Sequence, residues 1–133
     1  MILSTEDLFS NDQAITTTAD STNIIQMPAN SAHGQPMHVL IQVTTSFAGG
    51  TSIAFDLETD ATAAFPSPVD IATVAAVATA TLVAGYEINI PFMPLNNEGF
   101  LRLEYTVVGT MTAGNITAGI VFDKQSNKRT FPT

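Results

Sequence analysis

The sequence predicts an all-β fold, a single antiparallel sandwich or barrel of about eight strands. Three observations carry that prediction. Apolar residues recur at every second position in five separate runs, turn-forming residues separate the runs at near-regular intervals, and no long segment shows a period of 3.6. In a strand successive side chains point to opposite sides, so period two with one apolar face marks a half-buried strand. Alternating strand and helix spacing is absent, which argues against a parallel sheet.

Each element follows from its own residues. Val39, Ile41 and Val43 share one face of His38–Thr45, with Leu40 on the other. Ile53, Phe55 and Leu57 face one way while Asp56 and Glu58 face the other. Tyr86, Ile88, Ile90 and Phe92 form a third apolar face, and Leu101, Leu103, Tyr105 and Val107 a fourth. Ile116, Ala118, Ile120 and Phe122 complete the set. Weaker strand signals lie at 14–18, 23–27 and 71–79, the last an Ala/Thr/Val stretch whose β-branched residues fit a pleated surface. One helical turn is expected near Leu82, before Gly85. Ala48-Gly49-Gly50-Thr51 reads as a hairpin turn, and Met111-Thr112-Ala113-Gly114 as the turn closing a second hairpin over 100–123. Phe65-Pro66-Ser67-Pro68 and the stretch from Pro28 to Pro36 read as loops.

Length and composition bound the function. A chain of 133 residues is expected to form one domain over 1–133, with an amino-terminal arm over about 1–12 and a short basic tail over about 124–133. There is no cysteine, hence no disulfide, thiolate metal site or cysteine nucleophile. The acidic start of the chain predicts no secretory signal. The longest weakly polar stretch, 71–85, is broken by threonines and predicts no membrane span. Charged residues make up 12%, against about 25% in soluble domains. Residues 1–101 hold ten acids and no lysine or arginine; the bases Arg102, Lys124, Lys128 and Arg129 all come later. A body this acidic repels nucleic acid, so no direct nucleic-acid contact is expected.

The residue types that carry chemistry are sparse. His33 and His38 are five apart across Gly34 and Pro36, which is not the spacing of a two-histidine metal strand, so both read as structural or exposed. Asp56, Glu58 and Asp60 share one strand face about 7 Å apart, awkward for one ion without help from a neighbouring strand. A solvated polar face is the expectation there. Asn115-Ile116-Thr117 fits the glycosylation pattern but serves as turn exit and strand start. No nucleophile, base and orienter stand in recognisable relation, and there is no tryptophan to stack a sugar. The sequence therefore predicts no enzyme, no cofactor and no metal.

What remains concerns surfaces. Lone β-proteins usually guard sheet edges with lysine or proline, yet the first 101 residues contain no lysine, and their outward strand positions are mostly Thr, Ser, Asn, Gln and Ala. Interfaces are likewise poor in lysine. Ile2, Leu3, Leu8 and Phe9 are apolar residues at a chain end, suited either to the protein's own core or to a neighbour. A small, inert, neutral-faced β-block reads as an assembly component.

The residues also carry a resemblance. Met1-Ile2-Leu3, Leu8-Phe9-Ser10, Gln13 to Thr16 and Ser21-Thr22-Asn23 resemble the opening of the tailed-bacteriophage capsid cement (decoration) proteins of the Bordetella podophage type. The likeness resumes at Ala84-Gly85-Tyr86, Asn89 and Pro91, then runs through Phe100 to Leu103, Tyr105 to Val107 and Gly109 to Val121. The segment between Met27 and His38 and the tail after Phe122 depart from it. The resemblance implies a jelly roll without enzymatic activity or cofactor. It implies a place on the outer surface of a virion head, bridging subunits of the major capsid protein as a homodimer or homotrimer. Contacts with the capsid or with itself are then expected from Ile2, Leu3, Leu8 and Phe9 and from Lys124, Lys128 and Arg129. A jelly-roll carbohydrate- or receptor-binding module is the competing expectation, with Phe47, Phe65 and Phe131 as its candidate contacts.

Overall fold

The computed structural model describes residues 7–26, 37–92 and 98–121. They form nine strands: β1 (Leu8–Ala14), β2 (Ala19–Asp20), β3 (Ile25–Gln26), β4 (Met37–Ala48), β5 (Ser52–Asp60), β6 (Val69–Ala78), β7 (Glu87–Phe92), β8 (Phe100–Val108) and β9 (Ala113–Val121). Among the described residues there is no helix; the turn expected near Leu82 is a chain of tight turns, with Thr81 N–H donating to Ala78 O and Leu82 N–H to Thr79 O.

Every pairing is antiparallel. A four-stranded sheet runs β1-β9-β4-β7, and a five-stranded sheet runs β2-β8-β5-β6 with β3 also on β8. Counting β2 and β3 as one interrupted strand, the two sheets form a sandwich of eight strands, four in each. Alternation explains why the sheets stack. Val39, Ile41, Val43, Ile116, Ala118 and Ile120 from one sheet meet Ile53, Phe55, Leu57, Leu101, Leu103 and Tyr105 from the other in one core. Each Val, Ile, Leu and Phe side chain among them stabilises by roughly 1.5–3 kcal/mol on burial. Phe55 and Tyr105 meet edge to face, with ring centroids 5.8 Å apart.

Two expected hairpins are corrected. β4 and β5 do not pair, and neither do β8 and β9; each pair is split between the sheets. The segments 49–51 and 109–112 are therefore arches across the sandwich, and among the described strands only β5 and β6 pair as sequence neighbours. The arches lean on each other: Thr51 N–H donates to Val108 O at 2.8 Å and Thr112 N–H to Ala48 O at 2.7 Å. A Cβ on Gly50 would stand 2.6 Å from Met111 Sδ, so a larger residue there would require the methionine side chain to shift. Gly114, at φ +140°, lets the Phe47 ring lie directly against its backbone.

The first strand lies at the edge of the four-stranded sheet. Leu8–Ala14 is an edge strand on β9, interrupted by bulges, with Asp12 at φ +52°. Asp12 carries its irregular backbone on specific bonds: its N–H donates to Thr117 Oγ1, and its carboxylate accepts from Thr44 Oγ1 at 2.6 Å. Pro91 is tolerated because β7 is an edge strand, where a missing N–H costs no ladder bond.

Candidate functional site

The densest cluster of charged side chains lies on the outer face of the five-stranded sheet. The register builds it. Alternation turns Arg102 and Glu104 of β8 and Asp56, Glu58 and Asp60 of β5 away from the core. Pairing then sets Glu104 between Asp20 of β2 and Asp56 of β5, and Glu58 between Arg102 of β8 and Asp70 of β6. Like charges directly opposite one another are destabilising, so this arrangement needs compensation.

Arg102 supplies part of it. Its Nε donates to Glu58 Oε2 at 2.7 Å, and its Nη1 lies 3.2 Å from Asp20 Oδ2. The loop 61–68 folds back over this pair. Asp60 holds the loop, its two carboxylate oxygens accepting from Thr62 N–H and Ser67 N–H. Phe65, at φ +51°, places its ring 4.3 Å from the Arg102 guanidinium carbon, a cation–π contact. Under that cover Glu58 is only 4% exposed and Asp60 5%. The solvated acidic face expected on β5 is thus corrected: its middle and last acids are buried. Alternation locates the face, but nothing local signals that a Phe-Pro loop will close over it.

The electrostatics follow from the geometry. Glu104 is pushed up to about 7, first by a hydrogen bond with Glu58, then by burial, then by the charges of Glu58, Asp20 and Asp56. Asp56 is raised by burial and by Asp70 and Glu58. Burial works against the charge on Asp60, but the amides of Ser67, Thr62 and Ala61 together with Arg102 outweigh it and hold its carboxyl below the usual range. Oxygens of Asp20, Glu58 and Glu104 lie within 4.8 Å of one another, close enough to face one cation. Arg102 already binds two of these three, so the position is held by a fixed guanidinium. The cluster can store a proton.

A second polar chain ties the sheets together. Ser10 Oγ donates to Gln13 Oε1 at 2.7 Å and so accepts from Tyr105, whose hydroxyl lies 2.7 Å away. Gln13 Nε2 donates to Asp20 O, and Thr22 N–H donates to Gln13 Oε1. Burial pushes the Tyr105 hydroxyl far above its ordinary range.

Of the predicted contact residues, Phe9 lies in the protein's own core, fully buried, and Leu8 is half-buried on β1. Ile2, Leu3, Lys124, Lys128 and Arg129 fall outside the described residues, as do His33 and Phe131. His38 stands half-buried on β4 facing away from the core, with Nδ1 buried and unpartnered. Asn89 Oδ1, on the neighbouring β7, is in the same position. Phe47 and Phe65 are each 6% exposed, so neither offers a ring to a sugar.

The free edge of the five-stranded sheet is β6. Its ten residues, Val-Asp-Ile-Ala-Thr-Val-Ala-Ala-Val-Ala, carry a single charge, Asp70, and no lysine or proline. No further strand lies beyond it among the described residues. Such an edge is an open template for pairing.

The family model of Bbp16 matches residues 9–120. The chain belongs to the Bbp16 family. This is a family of Bordetella phage proteins, consistent with a phage structural protein. The match takes in all of the sandwich except the first residue of β1 and the last of β9, so the Bbp16 signature is the fold itself. No curated protein matches the chain.

Proposed function

We propose that this Bbp16-family chain is a capsid cement protein that sits on the outer surface of an icosahedral phage head and bridges neighbouring major capsid subunits. The observation that carries the reading is the family match across nearly the whole sandwich, residues 9–120. The character of the surface supports it: a ten-residue edge at β6 with a single charge, Asp70, and without the lysine that keeps lone β-proteins apart. In this reading the protein acts as a homodimer or homotrimer and does no chemistry.

The mechanism is multivalent clamping. Packaged DNA strains the shell outward, and a rigid block touching several subunits opposes their separation. Individually modest contacts gain avidity when an oligomer engages several together. A clamp that fits the expanded lattice better than the immature one stabilises the expanded lattice by linkage. The basic residues Lys124, Lys128 and Arg129 would add salt-sensitive contacts to acids on the shell. The test is to strip the protein from purified heads and add it back. Restored heat resistance, with saturation at a whole-number ratio to capsid subunits, is expected; heads equally resistant without it would end the proposal. The receptor-module reading gains no support from Phe47 on β4 or Phe65 in the loop 61–68, both of which are buried.

A further inference from the structure

The shortest paired elements of the sandwich face its most crowded charges. β2 has two residues, and both pair with β8: Ala19 with Tyr105 and Asp20 with Glu104. Around that pairing Ser21 N–H donates to Leu103 O at 2.7 Å, Leu103 N–H to Ser21 Oγ at 3.1 Å, and Val107 N–H to Thr18 Oγ1 at 3.0 Å. Gln13 Nε2 also donates to Asp20 O, so β2 ties the five-stranded sheet to β1 of the other. Thr18 to Ser21 is a strap between the two sheets.

The charges facing Glu104 come from every adjoining strand: Asp20 from β2, Asp56 and Glu58 from β5, Asp70 beyond them on β6, and Arg102 on β8 itself. With all carboxylates ionised, six negative charges, Asp60 included, surround one guanidinium. Arg102 is committed to Glu58 and Asp20, so it leaves Glu104 without a cation. Glu58 is buried and sits beside Glu104, and one proton between the two removes a charge where repulsion is greatest.

We propose that Glu58 and Glu104 share one proton in the closed sheet, and that its loss releases the β2 strap and with it the β1 edge. The upward displacement of the Glu104 carboxyl is consistent with this. The sign follows from linkage. A carboxyl that holds its proton more tightly in the closed form favours closure at low pH, and that advantage is lost as pH rises through its closed-state value. The inference does not depend on the capsid reading, because its readout is the isolated protein.

Backbone hydrogen exchange, corrected for intrinsic rates, is measured at Ser21, Leu103 and Val107 between about pH 5.5 and 8. In the wild-type protein protection at these amides falls as pH rises, by at most about tenfold per pH unit, the limit for one proton. Glu104→Gln keeps a hydrogen-bond donor toward Glu58 without a titrating group and flattens the profile. Asp20→Asn keeps the shared proton but removes the charge that pushes the strap away. In that variant the Glu104 carboxyl still titrates near neutrality by carbon NMR, while strap protection loses most of its pH dependence. A flat wild-type profile would overturn the proposal, and so would an undiminished fall in either variant. If Glu104→Gln does not fold, the wild-type and Asp20→Asn profiles decide alone.

Discussion

Replacing Arg102 by methionine isolates the worth of its charge, because the apolar stem beneath Phe65 is largely kept. Glu58 has a side chain 5% exposed and Arg102 one 17% exposed, so the pair belongs with buried ion pairs. Removing one partner of such a pair costs about 3–5 kcal/mol, since the survivor is left charged and unsolvated. The Asp20 contact adds at most about 1 kcal/mol, with Asp20 48% exposed. Protonation of the stranded carboxylate caps the total. Neutralising an ordinary glutamate costs about 1 kcal/mol at pH 5 but about 5 kcal/mol at pH 8, at 1.36 kcal/mol per unit. The destabilisation is therefore absent below the ordinary glutamate range and grows as pH rises. We expect Arg102→Met to lose about 3–4 kcal/mol at pH 8 and no more than about 2 kcal/mol at pH 5. Urea unfolding at the two pH values, with unchanged slope, reads both numbers. A loss under about 1 kcal/mol at pH 8, or equal losses at both, would refute the reasoning.

Two further substitutions test other parts of the sandwich. Tyr105→Phe removes the donor to Ser10 inside the core and is expected to cost about 1–2 kcal/mol by urea unfolding. A larger share of that loss should show as faster exchange along β1, whose Ser10 and Gln13 depend on the same chain. Gly114→Ala places a methyl group into the Phe47 ring at a positive φ and should cost more than about 2 kcal/mol by the same assay; a neutral result would show that this face of the arch is loosely packed.

Much of the fold was legible because it rests on one rule. The inward sets 39/41/43, 53/55/57, 101/103/105 and 116/118/120 read directly from alternation, and the structure buries all of them. Which strand lies beside which was not legible. Gly49-Gly50 and Thr110 to Gly114 carry the same turn residues whether the chain folds back within a sheet or arches over to the other. Alternation is satisfied either way, so sequence-adjacent strands read as hairpins when they are opposite walls. β1 escaped notice because Ser10 and Gln13 interrupt its apolar pattern, and their role depends on Tyr105, 95 residues away from Ser10. The candidate site was half legible: Asp56, Glu58 and Asp60 were visible as a row. Their burial under Phe65, and the addition of Asp20 and Glu104, needed the register of three strands.

The most direct test of the cement reading is a reconstruction of the whole particle of the phage that encodes this protein. Nine-stranded sandwiches repeated on the outer surface, each spanning the seam between neighbouring capsid subunits, are the predicted result. Heads without such density, or sandwiches located only at the tail or inside the shell, would contradict it.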